Sequence, residues 1–165
     1  MAGRRVLAIL VCVASGFGLC GFVGTAAAAV APPNDKIAGA TVVAALPFVQ
    51  TVNTTGATTD ANDTQVNQTC GAPATNNSVW YKFTAGSPDT LLEVDTSGST
   101  YSTGVIIATG TPGALTTQAC GPVTAKTTTA AGHTYYVLAF ADVGTGGTLQ
   151  ISIHGPGPAP ANDKI

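Results

Sequence analysis

The sequence predicts an all-β fold, a jelly-roll-like antiparallel sandwich of two packed sheets with about eight short strands. Charged residues make up only 8% of the chain, whereas threonine, which suits strands, occurs 25 times in residues 30–165. Short apolar or alternating runs recur between clusters of Gly, Pro, Asn, Asp and Ser. The last run alternates strictly, so that Leu149, Ile151 and Ile153 share one face, as in a strand with one buried side.

The first 29 residues predict a secretory signal peptide. Arg4 and Arg5 precede an apolar run over residues 6–23, and small residues follow at 25–29. Because signal peptidase requires small residues before its cut, we expect cleavage after Ala29 and a protein that is secreted or held at the cell surface. The run is also about long enough to cross a bilayer. An uncleaved anchor is therefore the alternative, and it would be the only contact with a membrane.

Residues 30–155 are predicted to form one sandwich module. Before its first strand, the stretch 34–46 is helix-like and could form one turn capped by Asn34 or Asp35. Residues 53–69 are predicted to be a polar loop. The predicted strands are 46–52, 78–85, 90–96, 102–109, 114–120, 123–129, 133–141 and 147–154.

Residues 156–165 predict a Pro/Gly linker followed by the truncated start of a second repeat. The tetrapeptide Asn-Asp-Lys-Ile at 34–37 returns at 162–165, after prolines in both places. The linker cannot pair into a sheet and is expected to be extended. The recurrence predicts a tandem array in which residues 30–155 are one complete module.

The net charge and the cysteine content indicate which partners and which kinds of site to expect. Residues 30–165 contain four lysines, no arginine and eight carboxylates, a formal charge of −4, so we expect no nucleic-acid partner. Cys70 and Cys120 remain after the predicted cleavage, and in an oxidising compartment we expect them to form a disulfide. Neither has another Cys or a His near it in the sequence, so no metal site is predicted there.

The residues do not predict an enzyme or a cofactor. His133 and His154 are the only imidazoles, and no serine lies in a Gly-x-Ser-x-Gly pattern. Glu93 and Asp95 lie two apart on a predicted strand and share a face, as a glycosidase pair could. A solvated sheet face is the simpler interpretation of these carboxylates.

Calcium binding stays open as a minor alternative. Asp60 and Asn62 have the spacing of the first two ligands of an EF-hand loop. Thr64 and Gln65, however, stand where the third ligand and the required glycine belong. The stretch is not an EF-hand loop, and carboxylates that cap turns are the simpler interpretation.

Aromatic side chains give the best binding hypothesis. Trp80 and Tyr81 are neighbours on a predicted strand and must point to opposite faces. In one interpretation Val79, Tyr81 and Phe83 belong to the core and Trp80 covers the edge of a sheet. In the other, Trp80 with Tyr101 or Tyr136 forms an exposed platform for sugar rings or a protein chain.

Several segments carry a resemblance to a known family. They are the Asn-Asp opening at 34–35, VWYKFTA at 79–85, ATGTPGALTTQAC at 108–120 and AAGHTYYVLAF at 130–140. Over residues 32–154 the chain resembles the repeated β-sandwich modules of secreted bacterial proteins related to the bacterial pre-peptidase C-terminal domain. The resemblance implies a jelly-roll-like, noncatalytic appendage, often in tandem, tethered to peptidases or cell-surface proteins.

The chain departs from this family at one position. Such modules frequently carry acidic residues or asparagine, suited to calcium, just after the position matched by Cys120. Here Gly121, Pro122 and Val123 follow it, and none of them has a side-chain oxygen. The implied calcium ligands are therefore missing at this place.

Together these observations predict a noncatalytic extracellular binding or spacer module of a modular secreted bacterial protein. The expected partner is an extracellular polysaccharide or protein, and the expected context is tandem copies or a catalytic domain on a longer chain. The alternative is an auxiliary C-terminal-type domain of a secreted peptidase whose catalytic part is absent from this chain.

Overall fold

The structure is a computed structural model that describes residues 28–86 and 90–155. The predicted linker and second-repeat start at 156–165, and all but the last two residues of the predicted signal peptide, lie outside these ranges. Within them, no helix is long and apolar enough to cross a membrane.

Nine strands, one α-helix and one 3-10 turn make up the described part of the chain. The 3-10 turn is Ile37–Gly39, the helix α1 is Ala61–Cys70, and the strands are β1 Thr41–Val43, β2 Phe48–Asn53, β3 Asn76–Thr84, β4 Thr90–Asp95, β5 Thr103–Thr111, β6 Ala114–Pro122, β7 Thr124–Thr129, β8 Thr134–Ala141 and β9 Thr148–His154.

The strands form two sheets with the connectivity of a jelly roll. Sheet A has the order β1-β3-β8-β5-β6, and sheet B has the order β2-β9-β4-β7. From β2 to β9, the first strand pairs with the last, the second with the seventh, the third with the sixth and the fourth with the fifth. All these pairs are antiparallel, and only the short β1 lies parallel to its neighbour β3. The predicted fold class is confirmed.

Sheet B is apolar on one face only. In β9, Leu149, Ile151 and Ile153 are fully buried against sheet A, while Gln150 is exposed and Ser152 half-exposed on the other side. This is the alternation that the sequence predicted, with one face in the core and one in water.

Sheet A, in contrast, is buried on both faces. Its inner face packs against sheet B through side chains such as Val79 and Tyr81. Its outer face carries a second apolar cluster that includes Trp80, covered by Val66 of α1 and Ile37 of the 3-10 turn. The molecule therefore has three layers, so residues 103–108 of β5 and 137–141 of β8 are buried without a break.

The helix α1 corrects the prediction of a polar loop at 53–69. Asp60 is its N-cap, and the Asp60 and Asp63 side chains each accept a hydrogen bond from the other's backbone N–H, which makes a capping box. Gly71 ends the helix in a left-handed conformation with φ of 66°, which a glycine adopts without strain. Only Val66 and Asp63 are fully buried, so apolar periodicity did not reveal the helix.

The stretch 34–46 also differs from its helix-like prediction. It forms one 3-10 turn, as the prediction allowed, but Lys36 occupies the N-cap position without a side-chain cap, and the strand β1 follows. Asn34 and Asp35 do not cap this turn. Instead, Asn34 bonds to the backbone of Trp80, and Asp35 accepts hydrogen bonds from Thr58.

The predicted disulfide is confirmed. Cys70 and Cys120 are bonded, with their Cα atoms 6.1 Å apart and a separation of 50 positions along the chain. The bond joins the last residue of α1 to β6, so it attaches the helical layer covalently to sheet A.

Candidate functional site

Trp80 lies in the core beneath α1. Its side chain is 0% exposed, and its indole Nε1 donates a 2.8 Å hydrogen bond to Oδ1 of Asp63. The expectation that Trp80 contributes to an exposed platform is therefore corrected, because the helix that the sequence analysis missed covers its ring. The other interpretation placed Trp80 over a sheet edge, but β3 lies inside sheet A between β1 and β8, and Trp80 belongs to the outer apolar cluster.

Asp63 is the polar centre of the helical layer. Its Oδ2 accepts hydrogen bonds from the Ser78 hydroxyl at 2.7 Å and from the Asp60 N–H at 2.8 Å. Burial raises the pKa of Asp63 to about 6, against the opposing effect of the hydrogen bonds from Ser78, Asp60 and Trp80. Both oxygens of this fully buried carboxylate accept hydrogen bonds. Asp63 therefore has a structural role, because it fixes α1 to β3.

The other two candidate aromatics lie apart from one another. Tyr101 packs against the core between the sheets, its hydroxyl 3.1 Å from that of Thr54, and burial raises its pKa. Tyr136 lies on the outer face of sheet A, where α1 no longer covers it, in a shallow groove of about 350 Å³ that also contains Val42 and Lys82. The structure therefore does not bring Trp80, Tyr101 and Tyr136 together on one surface.

The two histidines lie far from any catalytic arrangement. His133 is exposed in the turn before β8. His154 is opposite Glu93 in the ladder of β9 and β4, but Glu93 is paired with Lys126 at 2.8 Å. Over residues 28–86 and 90–155, neither imidazole is hydrogen-bonded to a serine hydroxyl or a carboxylate.

The oxygen ligands considered for calcium serve the fold. Asp60 caps α1, and Asn62 accepts a 2.8 Å hydrogen bond from the Gly113 N–H. In the described part of the chain, no group of three or more His, Cys, Asp or Glu side chains could hold a metal ion.

A cavity of about 370 Å³ lies beside the disulfide, and it is here called the disulfide cavity. It is formed by the segments 70–73, 104–106 and 120–122 together with Phe140 and Asp142. Its volume falls within the range of small-molecule sites, and most of its lining is apolar. These segments are far apart along the chain, so the sequence carried no local signal for the cavity.

The floor of the disulfide cavity depends on a glycine. The ring of Phe140 lies directly over Gly104, so close that a Cβ at residue 104 would overlap the ring carbons. Both residues are buried, whereas Pro73, Cys120 and Pro122 are exposed around the opening. The cavity is thus a preformed recess with a rigid floor and an opening to solvent.

Asp142 is the charged residue of this cavity. It follows β8 directly, and its side chain is half-buried. Its Oδ1 is shielded from solvent and has no hydrogen-bond partner among the residues that the structure describes. None of the ion pairs in that part of the chain involves this carboxylate. A carboxylate that lacks both water and a donor on one oxygen is poorly solvated.

Comparison with known proteins adds no relative. No protein-family model matches the chain, and no curated protein matches it.

Proposed function

We propose that residues 30–155 are a noncatalytic extracellular module that serves as a binding or spacer unit in a longer, modular secreted protein. The observation that carries this proposal is the path of the chain, which enters the sandwich at one end and leaves it at the other. The family resemblance of the sequence points to the same kind of appendage.

The chain enters at the end where β2 finishes and β9 begins, which we call the upper end. There Asn53 pairs with Thr148, and the backbone of residues 29–30 lies directly against Gly56, just beyond β2. The chain leaves after His154, which lies beyond the pair of Phe48 and Ile153 at the opposite, lower end. The seven residues of β9 separate the two ends by about 20 Å at 3.3 Å per residue. Consecutive modules would therefore follow one another end to end.

The repeated Asn-Asp-Lys-Ile element has a definite role in its first copy. The Asn34 carbonyl accepts a 2.8 Å hydrogen bond from the Trp80 N–H, while its amide donates to the Trp80 carbonyl at 3.2 Å. Asp35 accepts from Thr58, and Ile37 is buried under α1 in the outer cluster. The element fastens the start of the module to β3. The recurrence of the same four residues at 162–165 supports the proposal that a further copy follows.

The extracellular part of the proposal is supported by the disulfide. Disulfides persist in oxidising compartments and are rare in the cytosol.

Hydrogen bonds within the fold hold three of the carboxylates, those of Asp35, Asp60 and Asp63. This use of carboxylates supports a noncatalytic role.

Reading the coding DNA beyond Ile165 tests the modular proposal. Further sandwich copies that begin at the second Asn-Asp-Lys-Ile element would support an array, and a peptidase domain would support the auxiliary-domain alternative. A two-copy protein should show by small-angle X-ray scattering a maximum dimension close to twice that of one copy. A compact particle, in which the copies fold back on each other, would count against the spacer role.

A hydrolysis assay tests the noncatalytic proposal. The purified protein should not cleave a panel of esters and peptides above the background of the His133→Ala variant. Activity that this substitution removes would overturn the proposal, because His133 is exposed and holds no structural side-chain contact in the described part of the chain.

A further inference from the structure

We propose that the disulfide cavity is a binding site for a primary ammonium group on an apolar chain, with the Asp142 carboxylate as its counter-ion. The ligand chemistry is that of an alkylamine or of a lysine side chain. This inference goes beyond the proposed function, and it would hold for a lone module as well as for one in an array.

The shape and polarity of the cavity favour an aliphatic body. The floor consists of buried apolar groups, among them Ile106 and Phe140, and the opening is flanked by Pro73 and Pro122. A flexible polar ligand would lose hydrogen bonds to water against these walls. An alkyl chain would instead bury its surface there and gain the hydrophobic free energy of transfer.

The charge of the cavity lining determines which end group the ligand should carry. Asp142 brings one negative charge to the cavity, and no lysine or histidine lines it. Lys36 and Lys126 are held by other carboxylates, and Lys82 lies in the groove of Tyr136 on a different part of sheet A. An ammonium group in the cavity would bring a positive charge and a donor to the accessible part of the half-buried Asp142 carboxylate, whereas an anionic ligand would be repelled.

The site is preorganised by covalent and steric constraints. The disulfide holds the end of α1 against β6, and both bonded cysteines line the cavity. Binding therefore does not have to order a mobile segment, which lowers the entropic cost of association.

A titration followed by amide NMR shifts tests the inference on the purified protein expressed from its full-length gene. The probes are n-hexylammonium, its neutral isostere n-hexanol and the anion hexanoate. We expect hexylammonium to shift the amide signals of 70–73, 104–106 and 120–122 and to bind more tightly than hexanol, with hexanoate weakest. No shifts at these segments, or hexanoate binding as tightly as hexylammonium, would overturn the proposal without the need for any variant.

Two variants separate charge from shape. Asp142→Asn should weaken hexylammonium binding by roughly 10- to 100-fold, the effect of a hydrogen bond to a charged group, while hexanol binding changes little. Ala72→Leu should fill the cavity and abolish the binding of both probes. Asp95→Asn, on the outer face of sheet B, is the matched control and should change neither. Equal affinity of the wild-type and Asp142→Asn proteins for hexylammonium would refute the role of the carboxylate.

The source of the ammonium group is decided by a further probe. A short capped peptide, acetyl-Gly-Lys-Gly-amide, presents the same ammonium group on a lysine side chain. Binding of this peptide that is lost in Asp142→Asn would identify lysine side chains as ligands. Binding of hexylammonium alone would identify a small free amine, and either result supports the proposed chemistry.

Discussion

The buried carboxylate of Asp63 predicts how the stability of the protein depends on pH. Its pKa is about 6 in the folded state, against 3.8 for an ordinary aspartate. A raised folded pKa means that the native state holds the proton more tightly than the unfolded chain. The contribution of Asp63 to stability is therefore fully present below pH 3.8 and is lost as the pH rises through 6.

The size of this effect follows from the shift. Each pKa unit corresponds to 1.36 kcal/mol, so roughly two units give about 3 kcal/mol of unfolding free energy. In Asp63→Asn the titration is removed. The replacement also leaves at least one of the donors Ser78, Asp60 and Trp80 without an acceptor, because a carboxamide has only one oxygen; this lowers stability by about 1–3 kcal/mol.

The measurement is urea unfolding at a series of pH values, followed by the fluorescence of Trp80, the only tryptophan in the chain. The free energy of wild type minus that of Asp63→Asn should fall by about 3 kcal/mol between about pH 3.5 and pH 7. Ser78→Ala is the companion variant. It removes a hydrogen bond that lowers the pKa of Asp63, so the fall should extend to higher pH and become larger.

One result would refute the reasoning. If wild type and Asp63→Asn show the same dependence on pH, the pKa of Asp63 is the same in the folded and unfolded states. Burial would then not dominate, because the hydrogen bonds from the three donors would offset its effect on this carboxyl group.

Three further predictions concern the layers around sheet A. Loss of the disulfide in the double variant Cys70→Ser/Cys120→Ser should lower the free energy of unfolding, measured in urea, by about 4 kcal/mol relative to the oxidised wild type, and the reduced wild type should be as unstable as the variant. Gly104→Ala should cost about 1–3 kcal/mol because its Cβ would overlap the ring of Phe140, and an unchanged thermal midpoint would contradict this contact. Trp80→Ala should cost about 3–5 kcal/mol and loosen α1, seen as faster amide exchange in the helix; an unaffected stability would mean that the indole is not in the core.

The sheets were predictable from sequence because each strand carries its own pattern. The alternation of Leu149, Ile151 and Ile153 predicts a strand with one wet face, and the apolar run at 104–108 predicts a strand as well. The run also indicates burial on both faces of the sheet, because a strand with one wet face would alternate apolar and polar residues. A third layer over sheet A could have been expected from that signal.

The helical layer was harder to predict because polar contacts hold it. In α1 a single apolar side chain, Val66, is fully buried, so the helix lacks the stripe that identifies an amphipathic helix. Its local signals were Asp60 before it and Gly71 after it, at the spacing of a short helix. The disulfide cavity had no such signal, because the juxtaposition of Phe140 and Asp142 with α1 depends on the tertiary fold.

The double burial of sheet A has a consequence for how the protein reaches a unique structure. If β5 shifted by one residue along β8, the side chains on its two faces would exchange places, yet both sets would still be buried. Hydrophobicity alone therefore does not select the native alignment of this sheet. We expect two specific contacts to select the native alignment. One is the close approach of the Phe140 ring to Gly104, and the other is the hydrogen bond from the Trp80 indole to the Asp63 carboxylate. Misaligned forms of the chain should accumulate first when either contact is removed.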